Sequence, residues 1–203
     1  MIESKVIQTV QGLLTAEYQI ILGGSSIGEA QIPLNVRGGT ITCRIGENSY
    51  TLKRDSSNGP RYYDILDGNG SGIGYFSRLT KDKGFLKPGY LYIKAGFHEK
   101  EYSIYEVGMG KEGTYFPCYE EAYGEERQIG QIHKPAVVKD LKEEYECFAV
   151  DDQVSELLQL FSLYTDVWEH RNTGKKAAKA AEVEYSYTLN KKLKAKYNPD
   201  FVR

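Results

Sequence analysis

Three times along this chain an aromatic-headed apolar stretch runs through a polar turn into the dipeptide Ile-Gly. Residues 18–22 (Tyr-Gln-Ile-Ile-Leu) meet Gly23, Gly24, Ser25 and Ser26, and then Ile27-Gly28 opens a second stretch. Residues 62–66 (Tyr-Tyr-Asp-Ile-Leu) pass through a Gly-rich turn starting at Asp67 to Ile73-Gly74. Residues 115–119 (Tyr-Phe-Pro-Cys-Tyr) lead through an acidic loop to Ile129-Gly130. Each unit reads as strand–turn–strand, and Gly directly after Ile marks a bend or bulge where no side chain is tolerated.

Further hairpins lie between these units. Residues 40–45 and 49–54 flank Gly46, Glu47 and Asn48, and residues 90–95 and 101–107 flank a turn that begins at Gly96. In the latter pair Ile93/Ala95 and Tyr102/Ile104 alternate onto one buried face. With residues 144–150 these rules predict about eleven strands. The 17 Tyr and 21 Gly agree, because Tyr suits a half-buried pleated surface and Gly the tight turns of a meander. Residues 1–14 stay open, since the spacing of Ile2, Val6, Val10, Leu13 and Leu14 fits a short helix as well as a strand.

Many short strands without βαβ alternation define a mainly β sandwich or barrel. A predicted helix over 152–170 chooses between them. Asp151 or Asp152 caps its start, and Gly174 lies just beyond its end. Val154, Leu157, Leu158, Leu160, Phe161, Leu163, Tyr164, Val167 and Trp168 sweep roughly 220° of a helical wheel, against the ~100° stripe of a surface helix. Ser155, Gln159, Ser162, Asp166 and Glu169 form the remaining polar sector. Such a helix needs protein on most sides, and the inside of a closed antiparallel barrel supplies it. A helix wedged between two sheets, or into an oligomer interface, is the alternative.

Cys43, Cys118 and Cys147 are odd in number and far apart, which fits a reducing compartment. The opening residues lack the apolar run of a signal peptide, and no stretch reaches the ~18 apolar residues of a membrane span. A cytoplasmic protein is expected. Charge divides unevenly: residues 173–203 carry eight Lys+Arg against three Asp+Glu, a balance of +5. Residues 1–172 carry 18 against 25, a balance of −7.

At this point the chain resembles the Tubby C-terminal-like superfamily, which includes the phospholipid scramblase-like and LURP-one-related proteins. The resemblance rests on Ile27-Gly28, Ile73-Gly74 and Ile129-Gly130. It rests also on the closing order Gln128-Ile129-Gly130-Gln131-Ile132-His133, then Tyr145 to Val150, Asp152 and the apolar helix. It implies a barrel of about twelve strands threaded by a C-terminal helix, covering roughly residues 15–172. It implies no shared catalytic mechanism. Family roles include phosphoinositide headgroup binding, proposed lipid scrambling and transcription-linked functions. The cysteine cluster of the scramblase branch is absent, and the basic headgroup residues of the Tubby branch find no residue-by-residue match. Two segments follow: a barrel over 1–172 with its central helix at 152–170, and a basic, helical extension over 173–203.

Three catalogued motifs occur, all in predicted turns. Gly24 to Gly28 matches GxSxG around Ser26, but a strand, not a helix, follows. Asp67 to Ile73 matches half of a calcium loop, but position twelve is Arg78 where a bidentate Glu belongs. Gly108 to Gly113 fits GxGxxG without the helix that would meet a pyrophosphate. Hairpin turns rich in Gly, Ser and Asp explain all three. His98, His133 and His170 lack ligand spacing, and Trp168 with Tyr164 reads as core. No catalytic residue, metal site or cofactor is expected.

The extension carries the functional lead. Tyr185, Leu189, Leu193 and Tyr197 recur every four residues beside a run of lysines. If helical, this segment is basic and amphipathic, fit to lie on an anionic membrane or to grip a protein partner. The candidate lipid- or partner-binding residues are Lys175, Lys176, Lys179, Lys191, Lys192, Lys194 and Lys196. The bland alternative is a segment that packs its Tyr/Leu stripe on the barrel with its lysines in solvent. A binding or scaffold barrel is therefore the leading expectation. Nucleic-acid binding through the extension is a second, against which the acidic body weighs, and an enzyme with a barrel-end site is a third.

Overall fold

The computed structural model describes residues 1–34, 39–59, 61–81, 89–122, 125–137, 142–170 and 187–202. Its strands are β1 (Ile2–Gln11), β2 (Thr15–Leu22), β3 (Ser25–Pro33), β4 (Ile41–Ile45), β5 (Asn48–Arg54), β6 (Tyr63–Leu66) and β7 (Gly72–Lys81). There follow β8 (Tyr90–Phe97), β9 (Lys100–Tyr105), β10 (Val107–Gly108), β11 (Thr114–Ala122), β12 (Glu125–Lys134) and β13 (Glu144–Ala149). Helix α1 (Asp152–Thr165) continues as a π-turn over Asp166–His170, and α2 (Lys191–Lys194) is a single turn.

Successive strands pair antiparallel, β13 pairs back onto β1, and β9 pairs with β11. These contacts close a twelve-stranded barrel. Strand β10 adds no wall. Val107↔Tyr115 and Gly108↔Thr114 share the register of Ile104↔Cys118, so β10 continues β9 past a break at Glu106.

The three Ile-Gly steps share one geometry. Register skips a residue where Ile20↔Gly28 gives way to Ile21↔Ser26, where Ile65↔Gly74 gives way to Leu66↔Gly72, and where Cys118↔Gly130 gives way to Tyr119↔Gln128. Ile27, Ile73 and Ile129 are thus the extra residues of three β-bulges, which bend each hairpin toward closure. The glycines let backbones approach. A Cβ on Gly28 would lie 2.1 Å from the Arg44 carbonyl oxygen, and one on Gly74 would lie 2.2 Å from that of Gly96. On Gly130 it would lie 2.8 Å from Leu158 Cδ1, on the helix.

Helix α1 runs inside the ring. The Asp151 carboxylate caps it, accepting from Val154 N at 2.8 Å. Leu157, Leu158, Leu160, Phe161 and Leu163 are fully buried, and Ser155, Gln159, Ser162 and Asp166 of the polar sector are buried too. That sector meets polar side chains on β1, β2 and β13. Gln159 Nε2 donates to Ser4 Oγ (2.9 Å), and Asp166 accepts from the hydroxyls of Tyr18 and Tyr145. Buried polar groups are tolerated when they are bonded in this way.

Strand β1 settles the open reading of residues 1–14. Its inward side chains are Ser4, Val6 and Gln8, so polar residues hide the alternation from a hydrophobic pattern. The turns at 23–24, 46–47, 67–70 and 98–99 gather at the end where α1 begins, the entry end. The connections 12–14, 55–62 and 106–113 gather at the exit end, where Trp168 packs edge-on against Tyr63 at 6.2 Å. No helix among the described residues is long and apolar enough to cross a membrane.

Candidate functional site

Strands β8, β9 and β11 turn aromatic residues outward as well as inward, so their outer wall needs cover. The C-terminal segment supplies it. A second apolar cluster, separate from the barrel core, joins Tyr90, Tyr105 and Val107 to Leu193, with Tyr92, Met109, Tyr119 and Tyr197 packed around them. Asn190 caps α2 by accepting from Lys192 N (3.0 Å) and Leu193 N (3.3 Å), which turns Leu193 onto the wall. Lys196 Nζ lies 4.8 Å and 5.0 Å from the ring centroids of Tyr105 and Tyr119 and bonds the Glu126 carboxylate. Burial alone would raise the Glu126 carboxyl, but hydrogen bonds from Lys196 and Tyr105 outweigh it and hold it below the ordinary value. Tyr119 OH donates to the Lys196 carbonyl (2.7 Å), and the Tyr197 ring lies 4.3 Å from Tyr115, which stacks on His133 at 4.6 Å.

The predicted lysines therefore divide. Lys191, Lys192 and Lys194 are exposed on α2, whereas Lys196 is held in the tyrosine–glutamate cage. Lys175, Lys176 and Lys179 lie outside the described residues, as does Tyr185. The four-residue stripe is not continuous, because α2 spans one turn and Leu189, just before it, is 90 % exposed. The outward tyrosines were the missed signal. Strands apolar on both faces are strands covered on both faces.

A second constellation lies at the exit end. Arg54 and Arg61 place their guanidinium carbons 5.4 Å and 5.5 Å from the Trp168 ring, with Arg78 lining the same cleft. Exposed apolar residues gather at this end: Leu13 (92 %), Leu14, Val137, Tyr187 and Leu189. The entry end exposes Glu47, Glu99, Asp151 and Asp152, with Lys100, Met1 and Val150 beside them. Asp151 and Asp152 at the N-terminus of α1 and Arg54 and Arg61 beyond its C-terminus have the sense that suits the helix dipole.

Elsewhere the charged groups bond one another. Lys134 and Glu143, 2 % and 1 % exposed, pair at 2.9 Å. Lys5 bridges Glu144 and Glu146, and His133 Nδ1 meets Glu146 at 2.9 Å. Burial would raise Glu146, yet the bonds to Lys5 and His133 hold it lowered. A groove of about 520 Å³ crosses the outer faces of β1–β5, where Thr, Gln and Ser side chains line it beside Glu17, Tyr50 and an Arg44–Glu29 pair at 3.4 Å.

The three motifs fall in turns between strands. Asp67 Oδ1 is occupied by the amides of Asn69 (2.9 Å) and Ser71 (2.8 Å). Among the described residues no group of three or more His, Cys, Asp or Glu is placed to hold a metal ion. All three cysteines are buried, and burial pushes the Cys43 and Cys147 thiols up to about 12.

Fold and site together define a closed twelve-stranded antiparallel barrel that carries a helix inside and a basic segment strapped to its outer wall. No protein-family profile, curated protein or solved structure matches the chain.

Proposed function

We propose that this chain is a non-catalytic binding barrel of the Tubby-like type, which seats its exit end on an anionic phospholipid surface. The observation that carries the reading is the gathering, at one end, of exposed apolar side chains with solvent-facing cations. Leu13, Leu14, Tyr187 and Leu189 offer apolar contact, while Lys191, Lys192 and Lys194 follow directly in the chain. Apolar insertion and lysine attraction to anionic headgroups act together at such surfaces. The acidic entry end would then face away from the membrane, as repulsion requires.

Vesicle co-sedimentation tests this. The full chain should pellet with phosphatidylserine-containing vesicles and far less with phosphatidylcholine alone. Each basic residue near such a surface contributes about 1 kcal/mol. Replacing Lys191, Lys192 and Lys194 together by Gln should therefore weaken binding about a hundredfold. Equal, negligible pelleting with both vesicle types sinks the proposal.

A further inference from the structure

The outer wall beside the β9–β11 closure is built like a peptide-recognition groove, and residues 187–202 lie in it as a ligand would. Three recognition elements follow one another along the segment. First comes strand addition. Met109 and Tyr187 form an antiparallel bridge, Thr188 N donates to the Gly108 carbonyl (3.2 Å), and Gly108 N donates to Thr188 Oγ1 (2.6 Å). This uses the edge of β10 that β11 does not. Main-chain pairing of this kind is a recurrent way of capturing an extended peptide.

Next comes an apolar anchor. Leu193, 7 % exposed, fills a hollow between Tyr90, Tyr105 and Val107. Last is the cation cage, in which Lys196 lies against the rings of Tyr105 and Tyr119 with Glu126 as its counter-charge. Tyr197 follows on Tyr115. The walls of this groove belong to the barrel. Tyr105 and Tyr119 stand on strands whose alternate residues, Tyr102, Ile104, Phe116 and Cys118, pack in the interior core. Among the described residues that core contains none beyond Trp168, so undocking residues 187–202 removes none of its side chains. The segment itself has one capped helical turn, too short to hold its shape alone, and takes its order from the groove.

We propose that this wall is a recognition groove for the pattern Thr188, Leu193, Lys196-Tyr197, and that it accepts this segment from a second copy of the chain as well as from its own. The contacts are the same in either case, so exchange changes only the connection between barrel and segment, as in domain swapping. Sixteen residues separate His170 from Tyr187, a contour of up to ~55 Å, which is enough to cross to a neighbouring barrel. Within one chain the segment competes at an effective concentration of ~mM, which favours the closed monomer until copies are brought together. This inference shares Tyr187 with the lipid proposal, but none of its contacts uses Lys191, Lys192 or Lys194, so the triple Gln variant that tests lipid binding leaves the groove intact.

The test uses full-length variants. An acceptor carries Leu193→Asp and Tyr197→Ala, which undock its own segment. A labelled synthetic peptide of residues 187–203 is titrated into it, with fluorescence anisotropy as the readout. The peptide should bind the acceptor at least tenfold more tightly than it binds the wild-type chain, whose groove is filled. The same peptide with Lys196→Glu should lose at least tenfold. A donor bearing Glu126→Lys, with a spoiled groove and an intact segment, should form a 1:1 complex with the acceptor in size-exclusion light scattering. If Leu193→Asp prevents folding, Lys196→Gln with Tyr197→Ala serves as the acceptor. Failure of the peptide to bind a folded acceptor at ~1 mM, equal binding of the Lys196→Glu peptide, or two species that stay monomeric at ~100 µM each overturn it.

Discussion

Replacing the glycines of the Ile-Gly steps by alanine should destabilise the barrel in a fixed order, with Gly28 and Gly74 far more sensitive than Gly130. At Gly28 and Gly74 the added methyl meets a carbonyl oxygen at 2.1 and 2.2 Å, more than an ångström inside ordinary contact. The obstacle is backbone of the neighbouring strand, so relief requires parting β3 from β4 or β7 from β8. Losing two or three ladder hydrogen bonds at about 1 kcal/mol each, plus overpacking of about 1–3 kcal/mol, gives about 3–6 kcal/mol. Alanine's lower unfolded-state entropy returns only about 0.4–1 kcal/mol. At Gly130 the nearest obstacle is the tip of Leu158, a flexible side chain 2.8 Å away. Val154 Cγ1 (3.1 Å) and the Phe148 carbonyl oxygen (3.3 Å) need give by only tenths of an ångström, so the net loss should be about 1 kcal/mol. For a chain of this length each kcal/mol shifts the melting midpoint by about 2–4 °C. About 2–5 kcal/mol then remains at Gly28 and Gly74, and circular dichroism melts should show Gly28→Ala and Gly74→Ala lowered by about 4–20 °C and Gly130→Ala by about 2–4 °C. A Gly130→Ala loss as large as that of Gly28→Ala, or a Gly28→Ala midpoint within 2 °C of wild type, would refute the reasoning.

Other perturbations have equally definite outcomes. Asp166→Ala leaves the buried hydroxyls of Tyr18 and Tyr145 without their acceptor, and chemical denaturation should report a loss of about 2–5 kcal/mol. Lys134→Met removes the cation 2.9 Å from the buried Glu143 and should cost about 3–5 kcal/mol, whereas adding Glu143→Leu should recover most of it; equal stability of single and double variants would contradict this. Glu126 and Glu146 both titrate below their ordinary value of 4.5 in the folded state. Their stabilisation is therefore complete above about pH 4.5 and lost as pH falls through the lowered values; the Glu146→Gln variant should show a shallower acid transition than wild type. Cys43, Cys118 and Cys147 should resist a thiol-specific disulfide reagent at pH 8 in the native protein and react fully once unfolded.

The elements that sequence reading found are those whose pattern is local. Each Ile-Gly step announces a bulge because the glycine requirement sits beside the residue that bulges. The all-round apolarity of α1 likewise declares its burial. Where partners are distant the pattern fails. Strand β1 hides its period because Ser4 and Gln8 point inward, and their reason lies on Gln159 and on the backbone of Glu143, far along the chain. Lys196 shows the same limit at the site. A lysine run looks uniform in sequence, yet Tyr105, Tyr119 and Glu126 single out one member, and only folding brings those three together. The Arg54/Arg61 pairing on Trp168 joins three distant segments and has no local signature at all.

The position of α1 in the chain has a consequence for how the protein is made. The helix fills the ring, yet it is encoded after every strand of that ring. The interior faces of β1–β13 must therefore wait, unfilled, until residues 152–168 emerge. At ~5–20 residues per second that is roughly 8–30 s after the first strand leaves the ribosome. For that interval the nascent chain is an open meander with two bare edges, β1 and the strand made last, and an apolar lining in water. A ribosome stalled before residue 150 would hold a product that cannot close, and this is the stage at which the chain most needs a chaperone.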